Sequence, residues 1–181
     1  MGRSLETQQK LIRAAHVVIR EKGIGGFTLE AVAKQAGVSK GGLLHHFPSK
    51  DALIEGILEE EMNQFERQLQ QRYELTEKKR GDLLRAYISL SSEPLDAQFG
   101  YFGLMAAVGI NPTLLDLVKR KQNELNERLV QDANGSAEAD LILMTLDGLL
   151  FNDLFQLNTL NSQRRSRMLR LLYALENMKL T

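Results

Sequence analysis

The chain has 181 residues and no net charge, and its 43% apolar and 25% charged residues are typical of a globular protein with a substantial core. No apolar run reaches the roughly 18 residues of a transmembrane helix, and we expect no secretory signal, because the first residues lack an apolar segment. The absence of cysteine excludes disulfides and thiolate chemistry and favours a cytoplasmic location.

The neutral total conceals an uneven distribution of charge along the chain. Residues 1–50 contain eight Lys or Arg and three Asp or Glu, a net charge of +5, whereas the remaining residues carry −5. A basic segment beside a longer acidic one is typical of a protein whose head binds nucleic acid. The alternative is chance segregation of surface charge.

The first predicted element is a helix over residues 5–22, in which Leu11, Ala15 and Val18 recur at helical spacing. It is followed by a glycine-rich connection at residues 23–26. No strand precedes this connection, so it does not resemble a phosphate-binding glycine loop.

Residues 28–46 predict two short helices joined by a tight turn. Thr28 is suited to cap the first helix, and Gly37 is suited to end it in the left-handed conformation. Ser39 can then cap the second helix. Two capped helices around a glycine-containing turn form a helix-turn-helix.

The second of these helices begins with Gly41 and Gly42, each of which costs roughly 1 kcal/mol relative to alanine inside a helix. Missing side chains allow another backbone to approach closely, and Lys40 beside them supplies positive charge. The pattern therefore favours a recognition helix that lies against DNA. The alternative is that the glycines only make a loop more flexible.

The rest of the chain predicts further helices. Pro48 separates the recognition helix from a long helix over residues 49–72, and no alternating β-strand pattern occurs. The predicted fold class is therefore all-α, with about nine helices, a three-helix head in residues 1–48 and a larger body in residues 49–181. The remaining predicted helices cover residues 80–91, 94–108, 112–132, 137–159 and 162–179.

The last two predicted helices are apolar around much of their circumference, which indicates burial on two sides. In a body of this size one side can face the core and the other a second copy. We therefore expect a homodimer through residues 137–179, in a four-helix bundle. Two ordinary core helices in a monomer are the alternative.

The head contains a dense set of residues in a fixed order: Thr28-Leu29, Ala33-Lys34-Gln35-Ala36-Gly37, Gly37-Val38-Ser39-Lys40-Gly41, Leu43, His46-Phe47 and Ser49-Lys50. With these residues the chain resembles the DNA-binding signature of the tetracycline-repressor (TetR) family over residues 8–58. The family usually has a tyrosine that contacts a phosphate or a base where this chain has Leu44, which cannot donate a hydrogen bond but can touch a thymine methyl group.

The resemblance implies a homodimeric transcriptional regulator, a repressor that a small hydrophobic molecule releases from a palindromic operator on double-stranded DNA. Residues 39–46 are expected to enter the major groove, with Lys40, Gly41 and His45 nearest the base edges. Thr28, Ser39 and Lys50 are expected to contact phosphates. The full set of expected DNA-binding residues is Thr28, Ser39, Lys40, Gly41, Gly42, Leu44, His45 and Lys50.

The resemblance also implies a small-molecule site among the helices of the body, where aromatic and methionine side chains form adaptable apolar walls. Asp147 lies among leucines and suggests a cationic effector, although it can equally cap a helix or form an ion pair across the dimer. The expected ligand-binding residues are Phe65, Tyr87, Phe99, Phe102, Met105, Met144, Asp147 and Phe151.

No catalytic motif is present, and no cofactor, metal or membrane partner is expected. His45 and His46 are adjacent on a helix and point about 100° apart, so they cannot easily share a metal ion. Three alternatives stay open: a ligand-binding scaffold dimer that does not bind DNA, an activator, and a small all-α enzyme that uses a central cavity.

Overall fold

The computed structural model describes residues 2–93, 111–154, 157 and 159–177, and every regular element among them is helical. The predicted all-α fold is confirmed, and none of the described helices is long and apolar enough to cross a membrane. The predicted helix over residues 94–108 lies outside the described residues. The observed helices are α1 (Gly2–Lys22), α2 (Leu29–Ala36), α3 (Lys40–His46), α4 (Lys50–Glu74), α5 (Asp82–Ser91), α6 (Pro112–Asp132), α7 (Ala137–Leu154) and α8 (Ser162–Asn177).

Helix α7 is described as far as Leu154, and residues 157 and 159 are not helical, so the predicted extension of the helix to residue 159 is wrong. Asn152 makes several hydrogen bonds in this region. Its side-chain amide donates to the carbonyl of Gly148, its side-chain oxygen accepts from the hydroxyl of Thr159, and its own carbonyl accepts from the N–H of Leu157 at 3.0 Å. An asparagine that binds local backbone in this way competes with continuation of the helix.

The described residues pack as two units. Those up to residue 64, together with 111–119, form the first unit, and the remaining described residues form the second. The core of the first unit is built around fully buried Phe27, Leu11 and Leu43, and it also contains Leu114 from α6. Each large side chain of this kind stabilises the fold by roughly 1.5–3 kcal/mol through the removal of apolar surface from water.

Phe47, the residue that follows α3, lies in close contact with Gly56 of α4. Phe47 is buried, and a Cβ atom on Gly56 would lie 2.6 Å from Cε1 of the Phe47 ring. Real Cβ atoms do not approach a ring carbon this closely, so a side chain at this position would force the Phe47 ring or the backbone to shift. Glycine at position 56 therefore allows Phe47 to pack closely against α4.

The second unit has a separate core whose centre is α5. Most of α5 is buried, including Leu84, Ile88 and Leu90, because other helices of this unit pack around it. The surrounding core residues are Leu69 of α4, Leu125 and Leu129 of α6, Ala139, Ile142, Leu143, Leu146 and Leu149 of α7, and Leu172 of α8.

Two acidic residues fix the start of α5. The Asp132 carboxylate accepts from the backbone N–H groups of Leu83 at 3.0 Å and Leu84 at 3.2 Å, and so satisfies donors that have no partner within the helix. The carboxylate of Glu176, 5% exposed, accepts from Nε and Nη2 of Arg85 at 3.0 and 2.6 Å. These contacts tie α5 to α6 and α8.

Candidate nucleic-acid interface

Helices α2 and α3 are capped as the sequence predicts. The Thr28 hydroxyl oxygen accepts from the N–H of Ala31 at 3.1 Å, and the Ser39 hydroxyl oxygen accepts from the N–H of Gly42 at 3.0 Å. Gly37 ends α2 in the left-handed region, with φ of 63°. The helix-turn-helix geometry of the head is therefore present.

Helix α3 has one buried and one exposed face. Leu43 points into the core and is fully buried, and Phe47, which follows the helix, is buried beside it. The other face is open to solvent. The exposed residues are Lys40, Gly41, Gly42 and His45, all of which are among the expected DNA-binding residues.

Of the two glycines at the start of α3, Gly41 is not required by the packing of the head. A Cβ atom on Gly41 would find nothing closer than Oγ of Ser39 at 4.0 Å, which is ordinary contact. A Cβ atom on Gly42 would be tighter, at 3.3 Å from the same oxygen. Gly41 therefore leaves free space on the exposed face without relieving any clash inside the protein, as a close approach by another molecule would require.

The remaining residues of α3 lie at the edges of the exposed face. Leu44 and His46 are half-buried, and the imidazole rings of His45 and His46 meet edge-on with centroids 5.3 Å apart. No group of three or more metal-binding side chains occurs within the described ranges. Leu44 is thus partly exposed on the helix that begins with the two glycines.

Three expected phosphate ligands surround this face. The hydroxyl oxygens of Thr28 and Ser39 accept hydrogen bonds as helix caps, yet each hydroxyl keeps a proton that it can donate to a phosphate oxygen. Lys50 is exposed at the first turn of α4, with its Nζ atom 5.3 Å from the centroid of the Phe27 ring. A cation over an aromatic face is held in place by the ring quadrupole.

The structure also contains a contact that the sequence analysis missed. Nζ of Lys40 forms an ion pair with the carboxylate of Glu30, in the first turn of α2. The hydrogen bond from Lys40 holds the pKa of Glu30 below its usual value. One signal was available in the sequence, because Glu30 is the only acidic residue between positions 22 and 50.

The expected ligand-binding residues are only partly brought together. The rings of Phe65 and Tyr87 meet edge-on in the second unit, with centroids 5.8 Å apart, and Asp147 is half-buried on α7. Met144 and Phe151 are instead 63% and 54% exposed, on the side of α7 away from its core residues. Phe99, Phe102 and Met105 lie outside the described residues.

Helix α7 carries a stripe of exposed apolar residues along this outer side. Leu141, Met144 and Phe151 lie on the same face, and Gly148 is exposed between them. Leu171 on α8 is also more than half exposed. Among the described residues of α7 and α8, the large apolar side chains that are more than half exposed are Leu141, Met144, Phe151 and Leu171.

Two family models match the chain. Residues 11–57 match the model described as bacterial regulatory proteins, tetR family, and residues 81–177 match the model described as tetracyclin repressor-like, C-terminal domain. The second match alone covers more than half of the chain.

The chain is also similar in sequence to two known transcriptional regulators. The chain is 54% identical over 52 residues to the HTH-type transcriptional regulator CymR of Pseudomonas putida, a match that covers 29% of this chain and 26% of CymR. It is 28% identical over 127 residues to the HTH-type transcriptional regulator UidR of Escherichia coli strain K12, covering 69% of this chain and 63% of UidR. The matches thus span less than two thirds of either relative.

The fold is also similar to that of a solved structure, the multidrug binding protein EbrR complexed with imidazole. The TM-score is 0.71 at 22% sequence identity, and the match covers 97% of this chain and 93% of EbrR. At this identity the similarity shows a shared fold.

Proposed function

The chain belongs to the tetR family of bacterial regulatory proteins, and from this premise we propose that it is a transcriptional repressor that a small molecule releases from a palindromic operator. The observation that carries the DNA-binding part is the open face of α3, where Lys40, Gly41 and His45 are exposed within a correctly capped helix-turn-helix. Such a regulator acts in the cytoplasm, and we assign it no catalytic role.

In this proposal two recognition helices enter successive major grooves of the operator. Lys40 and His45 carry hydrogen-bond donors toward the base edges, and Gly41 allows the helix to approach closely. The Thr28 and Ser39 hydroxyls and the Lys50 ammonium donate to phosphates, which set the register of the head on the duplex.

We infer that the protein is a homodimer through residues 137–179. The exposed stripe of Leu141, Met144 and Phe151 supports this inference, because contiguous apolar surface at this position favours association with another copy. Met144 and Phe151, which were expected to bind a ligand, then contribute to the dimer interface.

We further propose that the effector is a small hydrophobic molecule that binds near Phe65 and Tyr87. Asp147, whose pKa burial raises, favours a cationic effector, because a cation would compensate a carboxylate that is poorly solvated. EbrR, which shares the fold, is described as a multidrug binding protein. An effector that binds more tightly to the conformation unable to fit DNA lowers operator affinity by shifting the population.

The first test is selection of genomic DNA fragments by the purified protein at physiological salt. We expect a recovered palindrome with half-sites about one helical turn apart or slightly more. Lys40→Ala should weaken binding to this palindrome about tenfold or more, since a base contact of a lysine contributes about 1–3 kcal/mol. Lys79→Ala, which removes an exposed lysine from the second unit, serves as the control and should leave the affinity unchanged.

A second candidate is a ligand-binding scaffold dimer that does not bind DNA. Leu44 favours it, because a half-buried leucine stands where a hydrogen-bonding side chain would strengthen a DNA contact. Recovery of no motif by a folded, dimeric protein would support this candidate over the repressor. A reporter gene placed behind a recovered operator would distinguish repression from activation.

A further inference from the structure

Glu30 is unusual because of where its charge lies. It is the only carboxylate among residues 22–50, the segment that contains the whole helix-turn-helix. Its side chain is 62% exposed and forms an ion pair with Lys40, whose side chain is 55% exposed at the start of α3. An acidic side chain therefore lies against the surface proposed to contact DNA.

Folding accounts for part of this charge, because Glu30 lies in the first turn of α2, where a carboxylate is favourable near the helix N-terminus. The ion pair with Lys40 adds little to this. Ion pairs between exposed side chains contribute about 0–1 kcal/mol to stability, because solvent screens them and both side chains lose freedom. A carboxylate near DNA is also repelled by the phosphates, which dominate the affinity of basic proteins. Glu30 thus neutralises Lys40 on a surface where positive charge favours binding.

The chemistry of lysine indicates what the pair can do. The ammonium group has three N–H donors, so a contact with Glu30 leaves two that can reach acceptors on a base. Its flexible stem otherwise allows Lys40 to reach any nearby phosphate, which gives affinity without selectivity. The ion pair with Glu30 instead keeps the Lys40 ammonium at the start of α3, where the base edges are expected.

We propose that Glu30 is a positioning residue for operator selectivity, which holds Lys40 toward the base edges and withholds it from phosphates. The proposal rests on the proposed function as a DNA-binding regulator. Its consequence is weaker binding to non-operator DNA and a larger ratio between operator and non-operator affinities.

The test compares Glu30→Gln with Glu21→Gln, which removes an exposed carboxylate from α1 and changes the net charge by the same amount. Affinities for the selected operator and for an unrelated duplex of equal length are measured by fluorescence anisotropy over a series of salt concentrations. We expect Glu30→Gln to tighten non-operator binding about fivefold and to steepen its salt dependence by about one unit of slope, as one added phosphate contact would. Glu21→Gln should change both affinities equally.

Two further variants test whether selectivity depends on where the Glu30 carboxylate lies, and on Lys40, rather than on its negative charge alone. Glu30→Asp keeps the charge but shortens the side chain, and it should also lower the operator to non-operator ratio. In a Lys40→Ala background, Glu30→Gln should no longer change the ratio. The proposal is overturned if Glu30→Gln and Glu21→Gln have the same effect, or if the change in ratio persists without Lys40. If the wild-type protein does not distinguish the two duplexes, the proposed function fails instead.

Discussion

Gly41 lies in the first turn of α3, where alanine would fit without displacing any neighbour. Because alanine is the better helix former, Gly41→Ala should raise the free energy of unfolding by up to about 1 kcal/mol, as measured by urea denaturation. If the glycine serves close approach to DNA, the same variant should bind the operator about tenfold more weakly, a loss of about 1.4 kcal/mol. An alanine variant with full operator affinity would show that the glycine has no such role.

Asp147 gives a prediction for pH dependence. It is half-buried, no partner for it is found within the described part of the chain, and burial raises its pKa above the ordinary 3.8. The folded protein therefore binds the proton more tightly than the unfolded chain, so the ionised carboxylate destabilises the fold at neutral pH. This penalty disappears as the pH falls through the raised pKa toward the unfolded value.

Asp147→Asn should consequently raise the melting temperature at pH 7, and the gain should shrink as the pH approaches about 4. Thermal unfolding across this range measures both effects. Asp140→Asn, an exposed position on the same helix, is the control and should give no comparable gain. A destabilised Asp147→Asn variant at pH 7 would indicate that the carboxylate has a favourable partner in the dimer.

At the scale of helices, the contact between Phe47 and Gly56 predicts that replacement of glycine by alanine destabilises the fold at position 56, whereas the same replacement stabilises it at position 41. Gly56→Ala places a Cβ atom 2.6 Å from Cε1 of the buried Phe47 ring, so the ring or the neighbouring backbone must shift. We expect a loss of about 1–3 kcal/mol in the free energy of unfolding, measured by urea denaturation. Phe47→Leu should recover part of this loss in a double-mutant cycle, because the smaller side chain relieves the clash.

The start of α5 depends on a cap from a distant helix. Asp132→Ala should cost about 1–2 kcal/mol, since the N–H groups of Leu83 and Leu84 lose their acceptor. Asp132→Asn retains an acceptor oxygen and should cost less. Hydrogen exchange of these two amides measures the effect directly, and unchanged protection in the alanine variant would contradict the capping role.

Local rules predicted the helix caps of the head but not which side of α7 is exposed. The caps at Thr28, Gly37 and Ser39 depend on residues within four positions of each other, so the sequence alone predicts them. The pair of Glu30 and Lys40 depends on how two helices cross, so the isolated acidic residue at position 30 does not by itself identify its partner. The exposure of Met144 could not be predicted either, because a helix that is apolar on all sides does not indicate which side faces the core.

At the scale of the whole molecule, the apolar stripe on α7 predicts how two copies associate. Leu141→Glu places a charge in the proposed interface and should produce monomers, as measured by sedimentation equilibrium, because burying an unpaired carboxylate is costly. Leu75→Glu makes the same chemical change at a leucine that is 89% exposed outside α7 and α8, and it should remain dimeric. Dimers in both variants would place the interface elsewhere.

The ion pair between Glu30 and Lys40 also bears on the rate at which the protein finds its operator. A regulator spends much of its time on the roughly 10⁶–10⁹ competing sites of a genome, so its search for one operator slows as each stay on unrelated DNA lengthens. In the proposed role, a lysine held by Glu30 would shorten these stays. For the proposed repressor, a single carboxylate on α2 would then determine how soon the operator is occupied again after the effector is released.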